Sequence, residues 1–509
     1  MDKTLQNEVL GKPGTARRRF LTQVAATGAA AGTAAALPAW SQEESARPAT
    51  TPESSARSPI AETFARYAVS LRYEDLPADI VRQTKRITID TLGCAIGAYK
   101  AEPSQIAIKL AGNVSAAQGA TVFCNGLKSS HELAAFANGV MIRYLDFNDG
   151  YISLGNGHPS DSIGALLASA EVTGRSGRDL ILATVLAYEV FTRVVDVMDI
   201  KAVGMDSATV AGLSGLVGTC RLMGLTQQQM VHAIGIYVAG NAAANQTRRG
   251  TLSNWKACAS AEACRKGIFA AQLAQAGMTG PNQVFEGREG FFNLTRLKPF
   301  KLAKFGGGGE PFGMIHTFVK RFALGQYAQT VAQAAMEARP LFKDIGEIQE
   351  VNVRVSQRAI RTMADSADKW KPQTRETADH SMPYATAVAL RYGEIDEHYY
   401  DDEFLHDQRL LDLVGRVRCV PSEEADRREP EINLCELEVV LKSGQRKTIR
   451  VEYHRGHWKN PMTDAEVDEK FRGLARKQLT VQKTDALLRQ LWALEEMPKA
   501  GALAAMTRA

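Results

Sequence analysis

The densest collection of groups able to move protons lies between Arg143 and Asp161. Asp146, Asn148, Asp149 and His158 stand there on a Gly-rich stretch between two helical segments, followed by Ser160 and Asp161. Two carboxylates, an amide and an imidazole are the side chains of acid–base chemistry near neutral pH. Loops held on a rigid scaffold are where catalytic groups are usually mounted. The same residue types also cap helices and close turns, with His158-Pro159 opening the next helix, and spacing alone leaves both readings open.

Other groupings fail on inspection. His131-Glu132-Leu133-Ala134-Ala135 begins like a zincin helix but has Ala where the second His belongs. Gly212-Leu213-Ser214-Gly215-Leu216 lacks the last Gly of a nucleophile elbow. His454 and His457 follow a strand pattern, where that spacing does not put both rings on one face. The run Gly306–Gly309 has no following Lys-Ser/Thr and reads as a hinge or surface loop, not a phosphate loop. Seven Cys, at 94, 124, 220, 258, 264, 419 and 435, are too scattered for a zinc or iron–sulfur site or a disulfide framework. No metal and no cofactor is expected.

The elements that must position the loop are helical. From Ala61 to about Gly290, apolar and small residues recur at three- and four-residue spacing, as in Ile80, Thr84, Ile87 and Thr91 behind Pro77. Ala-rich segments follow at 164–170, 179–195, 209–223 and 259–275. Beyond the glycine run comes a helix near 326–339, then strand-like alternation at Val351, Val353 and Val355. A second helix spans about 383–392, and 434–441 and 448–453 flank the hairpin turn Lys442-Ser443-Gly444-Gln445. The last fifty residues return to helix. The fold class is therefore mainly α: a helical body over 59–312, an α+β insert over 313–457, and a helical return over 458–509.

Composition agrees. At 509 residues the chain exceeds one ordinary core, and 45% hydrophobic with 23% charged residues excludes disorder. A net charge of +5 is too weak to point to nucleic acid. More than half of that excess sits in residues 1–41, which read as a signal peptide: Arg17-Arg18-Arg19-Phe20-Leu21, a weakly apolar run to Leu37, and a small-x-small site at Ala39-Trp40-Ser41. The run is too rich in Ala and Gly for a membrane span. Residues 42–58, rich in Ser, Pro, Thr and Glu, read as a flexible linker. The expected location is periplasmic or secreted, by the twin-arginine route.

The loop and its surroundings resemble a known family. Asn138-Gly139, Asp146-Phe147-Asn148-Asp149 and His158-Pro159-Ser160 are similar to the signature of the MmgE/PrpD, or 2-methylcitrate dehydratase, family, which includes cis-aconitate decarboxylase and iminodisuccinate epimerase. The likeness continues in order through Tyr73–Pro77, Asp90–Gly93, Trp255-Lys256 with Gly267 and Ala270–Ala274, Gly280-Pro281, Phe285–Gly287, Lys320–Phe322 and Ser381–Tyr384, covering roughly 59–500. It implies a helical domain with a smaller α+β lid, a homodimer, and a metal-free site between body and lid. Asp146, His158 and Lys256 would be its catalytic residues, and Lys320, Tyr384, Asn148, Asp149 and Asp206 would bind substrate.

The implied substrate is a small di- or tricarboxylate, and the implied step is loss of a proton or carboxylate beside a carboxylate. His158 would exchange the proton, Asp146 would orient it, and Lys256 and Lys320 would hold carboxylates and offset growing negative charge. The chain departs from the family at Asp206, where a His is frequent, at Gly325, where Cys or His is common, at Asn148 and Gly150, and in a loop about two residues longer before His158. The leading reading is an exported, metal-independent lyase working by dehydration or decarboxylation. The alternatives are an epimerase of a small dicarboxylate and a catalytically silent periplasmic binding protein. For export, a reporter fused to residues 1–45 is expected outside the cytoplasm, and Arg17→Lys with Arg18→Lys should retain it inside; export insensitive to that change would refute the motif.

Overall fold

The computed structural model describes residues 58–509. The expected signal peptide and all but the last residue of the expected linker lie outside the described residues. The fold is mainly α, as the periodicity implies. The body comprises α1 (Pro59–Ser70), α2 (Ala78–Gly97), α3 (Glu102–Ala111), α4 (His131–Tyr144), α5 (Ile163–Val172), α6 (Gly177–Val197), α7 (Ala208–Met223), α8 (Gln227–Gly240) and α9 (Trp255–Gln275). Side-chain oxygens start several of them: Ser176 with Asp179 caps α6 and Thr226 with Gln229 caps α8, each satisfying amides the helix leaves unpaired. Gly224, in the left-handed region at φ 72°, ends α7.

Small residues set the body's packing. A Cβ on Gly139 of α4 would lie 2.9 Å from Cβ of Ala261 on α9. A Cβ on Gly267 of α9 would lie 3.0 Å from the Gly212 carbonyl of α7. Helix α9 is thus gripped on two sides at backbone distance, and it carries Lys256 in its first turn. Its buried positions, from Lys256 through Ala274, cover a broad face, and Trp255, Lys266 and Phe269 lie on the opposite, exposed one.

A second hydrophobic core begins at Phe322 and ends at Val451. Here α10 (Gln329–Ala338) and α11 (Met382–Tyr392) pack on a four-stranded sheet of β1 (Ile348–Val355), β2 (Val417–Pro421), β3 (Cys435–Leu441) and β4 (Arg446–Val451), in the order β2-β1-β3-β4. β1 pairs parallel with β2 and antiparallel with β3, with Val353 between Cys419 and Leu437. Val351, Val353 and Val355 are fully buried, so their alternation marks the core face. We call this unit the lid. The chain then returns to the body core through α12 (Asp464–Ala475) and α13 (Val481–Trp492). The glycine run forms a turn docked on the buried Glu189 carboxylate, which accepts the amides of Gly306 and Gly313.

The α4–α9 contact has no room for a branched side chain. Gly139→Val is expected to destabilise the protein by about 1–3 kcal/mol, the usual cost of overpacking. Denaturant titration of variant and wild type measures it, and an unchanged midpoint would contradict the packing described.

Candidate active site

Helix α4 ends at Tyr144, and two residues later Asp146 takes a left-handed conformation, φ 50°. That conformation is uncommon outside Gly, although Asp tolerates it better than most residues. The turn directs a fully buried carboxylate into a cluster of cations. Arg143 Nη1 lies 2.8 Å from Asp146 Oδ1. Lys320 donates to the Asp146 carbonyl at 2.7 Å and also to Oδ1. Lys256 Nζ lies 3.2 Å from Oδ2 and bridges to Asp379. Burial alone would raise the Asp146 pKa, but Arg143, Lys320, Lys256 and His380 outweigh it and hold the carboxyl well below the usual range. Burial pushes Lys320 down to about 8, opposed by Asp146.

Two imidazoles attach to this cluster in different ways. His380 Nδ1 faces Asp379 Oδ1 at 2.7 Å and Asp146 Oδ2 at 3.0 Å. Two carboxylates on one nitrogen assign the proton to Nδ1 and leave the Nε2 lone pair free. His158 Nδ1 is 2.6 Å from the Asp149 carbonyl, so it too carries the proton there. Its Nε2 accepts from Arg143 at 3.1 Å and lies 3.2 Å from Gln326 Nε2. Burial depresses both rings, with Lys256 adding to it at His380, which falls to about 3. Arg143 and Lys320 add to it at His158, which falls well below its ordinary value. Both rings are therefore neutral near pH 7, and among the described residues the Nε2 of His380 has no hydrogen-bond partner.

These groups back onto a small cavity of about 40 Å³ between body and lid. Its walls include Arg143, His158, Lys201 and Arg248 from the body, and Gln326, Met363 and His380 from the lid. Among the described residues none of the lining side chains is acidic. Several buried polar atoms of the cluster lack a hydrogen bond of good geometry, among them Arg143 Nε and Nη1, Asp146 Oδ2 and Asp379 Oδ2. Such atoms concentrate where a site must remain able to engage a ligand. Asp146, Asp379 and His380 bring ligand atoms within 4.8 Å of one another. Lys256 already bridges the two carboxylates, so a metal ion there would have to displace an ammonium.

The structure brings Asp146, His158, Lys256 and Lys320 together, with the two lysines behind the cavity wall, each bound to carboxylate. Other assignments are corrected. Tyr384 is not in the site: its hydroxyl donates to the Tyr399 carbonyl at 2.8 Å inside the lid core. Asn148 donates to Ser160 Oγ and Asp161 Oδ1, both at 2.8 Å, bracing its own loop instead of facing the cavity. Asp149 accepts from Ser160 and from Tyr188 OH at 2.6 Å, and burial raises its carboxyl to about 7. Asp206 caps α7 at the Ala208 amide (2.9 Å) and pairs with Arg248 Nε (2.9 Å), so it positions a lining cation and does not line the cavity.

The departures at Gly325 and Gly150 also have structural reasons. A Cβ at 325 would lie 2.7 Å from Met363 Cε, and one at 150 would run into the Phe318 ring and lie 3.2 Å from Gln326 Cδ. Neighbouring side chains occupy the space a larger residue would need. Sequence reasoning missed Arg143, Lys201, Arg248, Asp379 and His380. For His380 a signal was present, since it stands immediately before Ser381-Met382-Pro383-Tyr384.

The returning helix α12 completes the site. Lys470 Nζ donates to the Phe147 carbonyl at 2.8 Å and the Lys320 carbonyl at 2.9 Å, pairs with Asp90 of α2, and sits 3.7 Å over the Phe147 ring. One ammonium thereby ties together the backbone beside Asp146 and the backbone of Lys320.

Comparison with known proteins agrees with this architecture. The MmgE/PrpD N-terminal domain family matches residues 62–302, and the MmgE/PrpD C-terminal domain family matches residues 322–494. The chain belongs to the MmgE/PrpD family. It is 27% identical to a 2-methylcitrate dehydratase of Cupriavidus necator over 414 residues, 76% of this chain and 84% of the relative. It is 26% identical to the 2-methylcitrate dehydratase of Escherichia coli K12, over 72% of this chain and 80% of the relative. It is also 26% identical to human cis-aconitate decarboxylase, over 88% and 94%.

Asp146→Asn leaves three buried cations around a neutral amide. The expected loss is about 3–5 kcal/mol, as for a broken buried ion pair. The folded carboxyl titrates below its unfolded value near 4, so this stability is present above about pH 4 and is lost as pH falls below it. Denaturation of wild type and variant should differ most above that pH and converge below it. Equal stability at neutral pH would refute the network.

Proposed function

We propose that the protein is a lyase acting on a small di- or tricarboxylate, by elimination of water or loss of CO₂ beside a carboxylate. The observation that carries this reading is a cavity walled by Arg143, Lys201 and Arg248 with two neutral imidazoles and no acid among its described lining residues. Such walls favour a multiply charged anion and offset negative charge that grows on the carbon beside a carboxylate. His380 Nε2 is the base that takes the proton, with Asp379 and Asp146 holding its Nδ1–H as the ring becomes cationic. His158 binds Arg143 and sets the direction of that guanidinium. Lys256 and Lys320 hold Asp146 ionised from behind the wall. The names of the relatives, dehydratases and a decarboxylase, support the class.

The reading includes export, supported by the Arg17–Leu21 motif, and turnover without a metal, supported by Lys256 bridging the two carboxylates. It also includes a homodimer, supported by Trp255 and Phe269, each about half exposed on α9.

The test incubates the protein, before and after exhaustive chelation, with hydroxy-, amino- and unsaturated polycarboxylates in deuterated water, followed by proton NMR. Loss of water or CO₂ from one of them, unaffected by chelation, is expected. Exchange or epimerisation without elimination, or no reaction throughout the panel, would overturn the lyase reading. His380→Gln should lower kcat by roughly 10²–10⁴-fold with substrate still bound. A fall of less than tenfold would return the role of base to His158.

A further inference from the structure

Between α6 and α7 the chain makes one tight turn, Ile200–Val203. Asp199 caps it by accepting the Lys201 amide at 3.2 Å, buried Ile200 anchors it, and Gly204 closes it in the left-handed region at φ 77°. The turn is stitched to the segment that carries Arg248: the Asp206 amide donates to the Ala243 carbonyl at 2.7 Å, and the Asn245 amide to the Gly204 carbonyl at 2.9 Å. Lys201 and Arg248 therefore reach the cavity from two segments held in fixed register.

The lining cations differ in one respect. Arg143 is paired with Asp146, and Arg248 with Asp206. Lys201 lines the same cavity half-buried, and among the described residues no carboxylate comes within ion-pair distance of its ammonium. The two acids best placed to pair with it are already committed, Asp199 to its own turn and Asp206 to Arg248 and the α7 amide. A partly desolvated ammonium beside two occupied guanidinium groups gains most from an anion supplied from outside.

We propose that Lys201 is a specificity-determining residue that binds a substrate carboxylate, so that the site selects acids carrying two or more carboxylates. This rests on the polycarboxylate reading above and deepens it. Burial is the largest influence on Lys201 and brings it down to about 8, against Asp206 and Asp199, with Arg248 and Arg358 adding to the fall. The carboxylate contact is therefore lost as pH rises through about 8, where the ammonium gives up its proton. Arg143, His158 and His380 face the same cavity. Neither imidazole titrates in that range, since burial and the neighbouring cations hold both well below it. Lys320, also near 8, does titrate there, which makes an arginine variant the necessary control.

The experiment is titration calorimetry of the full chain with citrate, tricarballylate, succinate and butyrate from pH 7 to 9.5. It uses wild type, Lys201→Met and Lys201→Arg, with thermal melts as a check on folding. Wild type should bind the tri- and dicarboxylates and lose affinity above pH 8. Lys201→Met should weaken them by about tenfold or more and leave butyrate unchanged, while Lys201→Arg keeps most of the affinity and flattens the alkaline limb. If wild type binds these acids and Lys201→Met binds them equally well, the role of Lys201 is refuted and the polycarboxylate reading stands. A limb that persists in Lys201→Arg belongs to Lys320 and overturns the assignment of the pH dependence to Lys201. If wild type binds none of them, the polycarboxylate reading itself fails and Lys201 falls with it.

Discussion

The site depends on one fully buried carboxylate that no single part of the chain could keep ionised. Asp146 is held by Arg143 from the last turn of α4, Lys256 from the central helix, Lys320 from the segment entering the lid, and His380 from within the lid. Taking these charges out of water costs several kcal/mol per ion, and only the complete set repays it. The helical body explains how the set is kept together. Gly139, Ala261, Gly212 and Gly267 let α9 approach its neighbours at backbone distance, so Lys256 is placed by close packing and not by a flexible stem.

Much of this was legible in the residues. Three- and four-residue periodicity gave the body, the valine alternation gave the central lid strand, and Lys442–Gln445 gave the hairpin. The Asp146–His158 loop and both lysines also stood out. What periodicity cannot supply is the direction of a side chain across a domain boundary. Tyr384 and His380 are four residues apart beside one helix, yet the hydroxyl ends in the lid core and the imidazole in the site. Arg143, Lys201 and Arg248 carry no motif and become cavity walls only when distant segments meet. The acids at 149 and 206 invited a binding role because the sequence does not show that Tyr188 and Arg248 engage them first.

The two imidazoles show how neighbours divide work between identical groups. Burial and nearby cations keep both neutral, but one ring spends its acceptor nitrogen on Arg143, while that of His380, which lines the cavity, has no hydrogen-bond partner among the described residues. A ring flanked by two carboxylates can take up a proton without leaving an isolated buried charge, whereas a ring bound to a guanidinium cannot. The cavity accordingly combines fixed positive charge with a proton acceptor, the pairing needed to form a carbanion-like species beside a carboxylate.

Lys470 adds a condition on the order of assembly. It grips the carbonyls of Phe147 and Lys320 from the helix that leaves the lid, 150 residues after Lys320 itself. A growing polypeptide would display Asp146, His158, Lys256, Lys320 and His380 long before that ammonium leaves the ribosome. Until it does, the loop and the lid entry are joined by Lys320, by the backbone pair of Gly150 with Phe318 and by Gln326 on the Gly157 carbonyl. The loop and the lid entry thus reach their final register only once a segment far downstream has docked, and a chain cut before Lys470 would hold Asp146, His158, Lys256, Lys320 and His380 without that clamp.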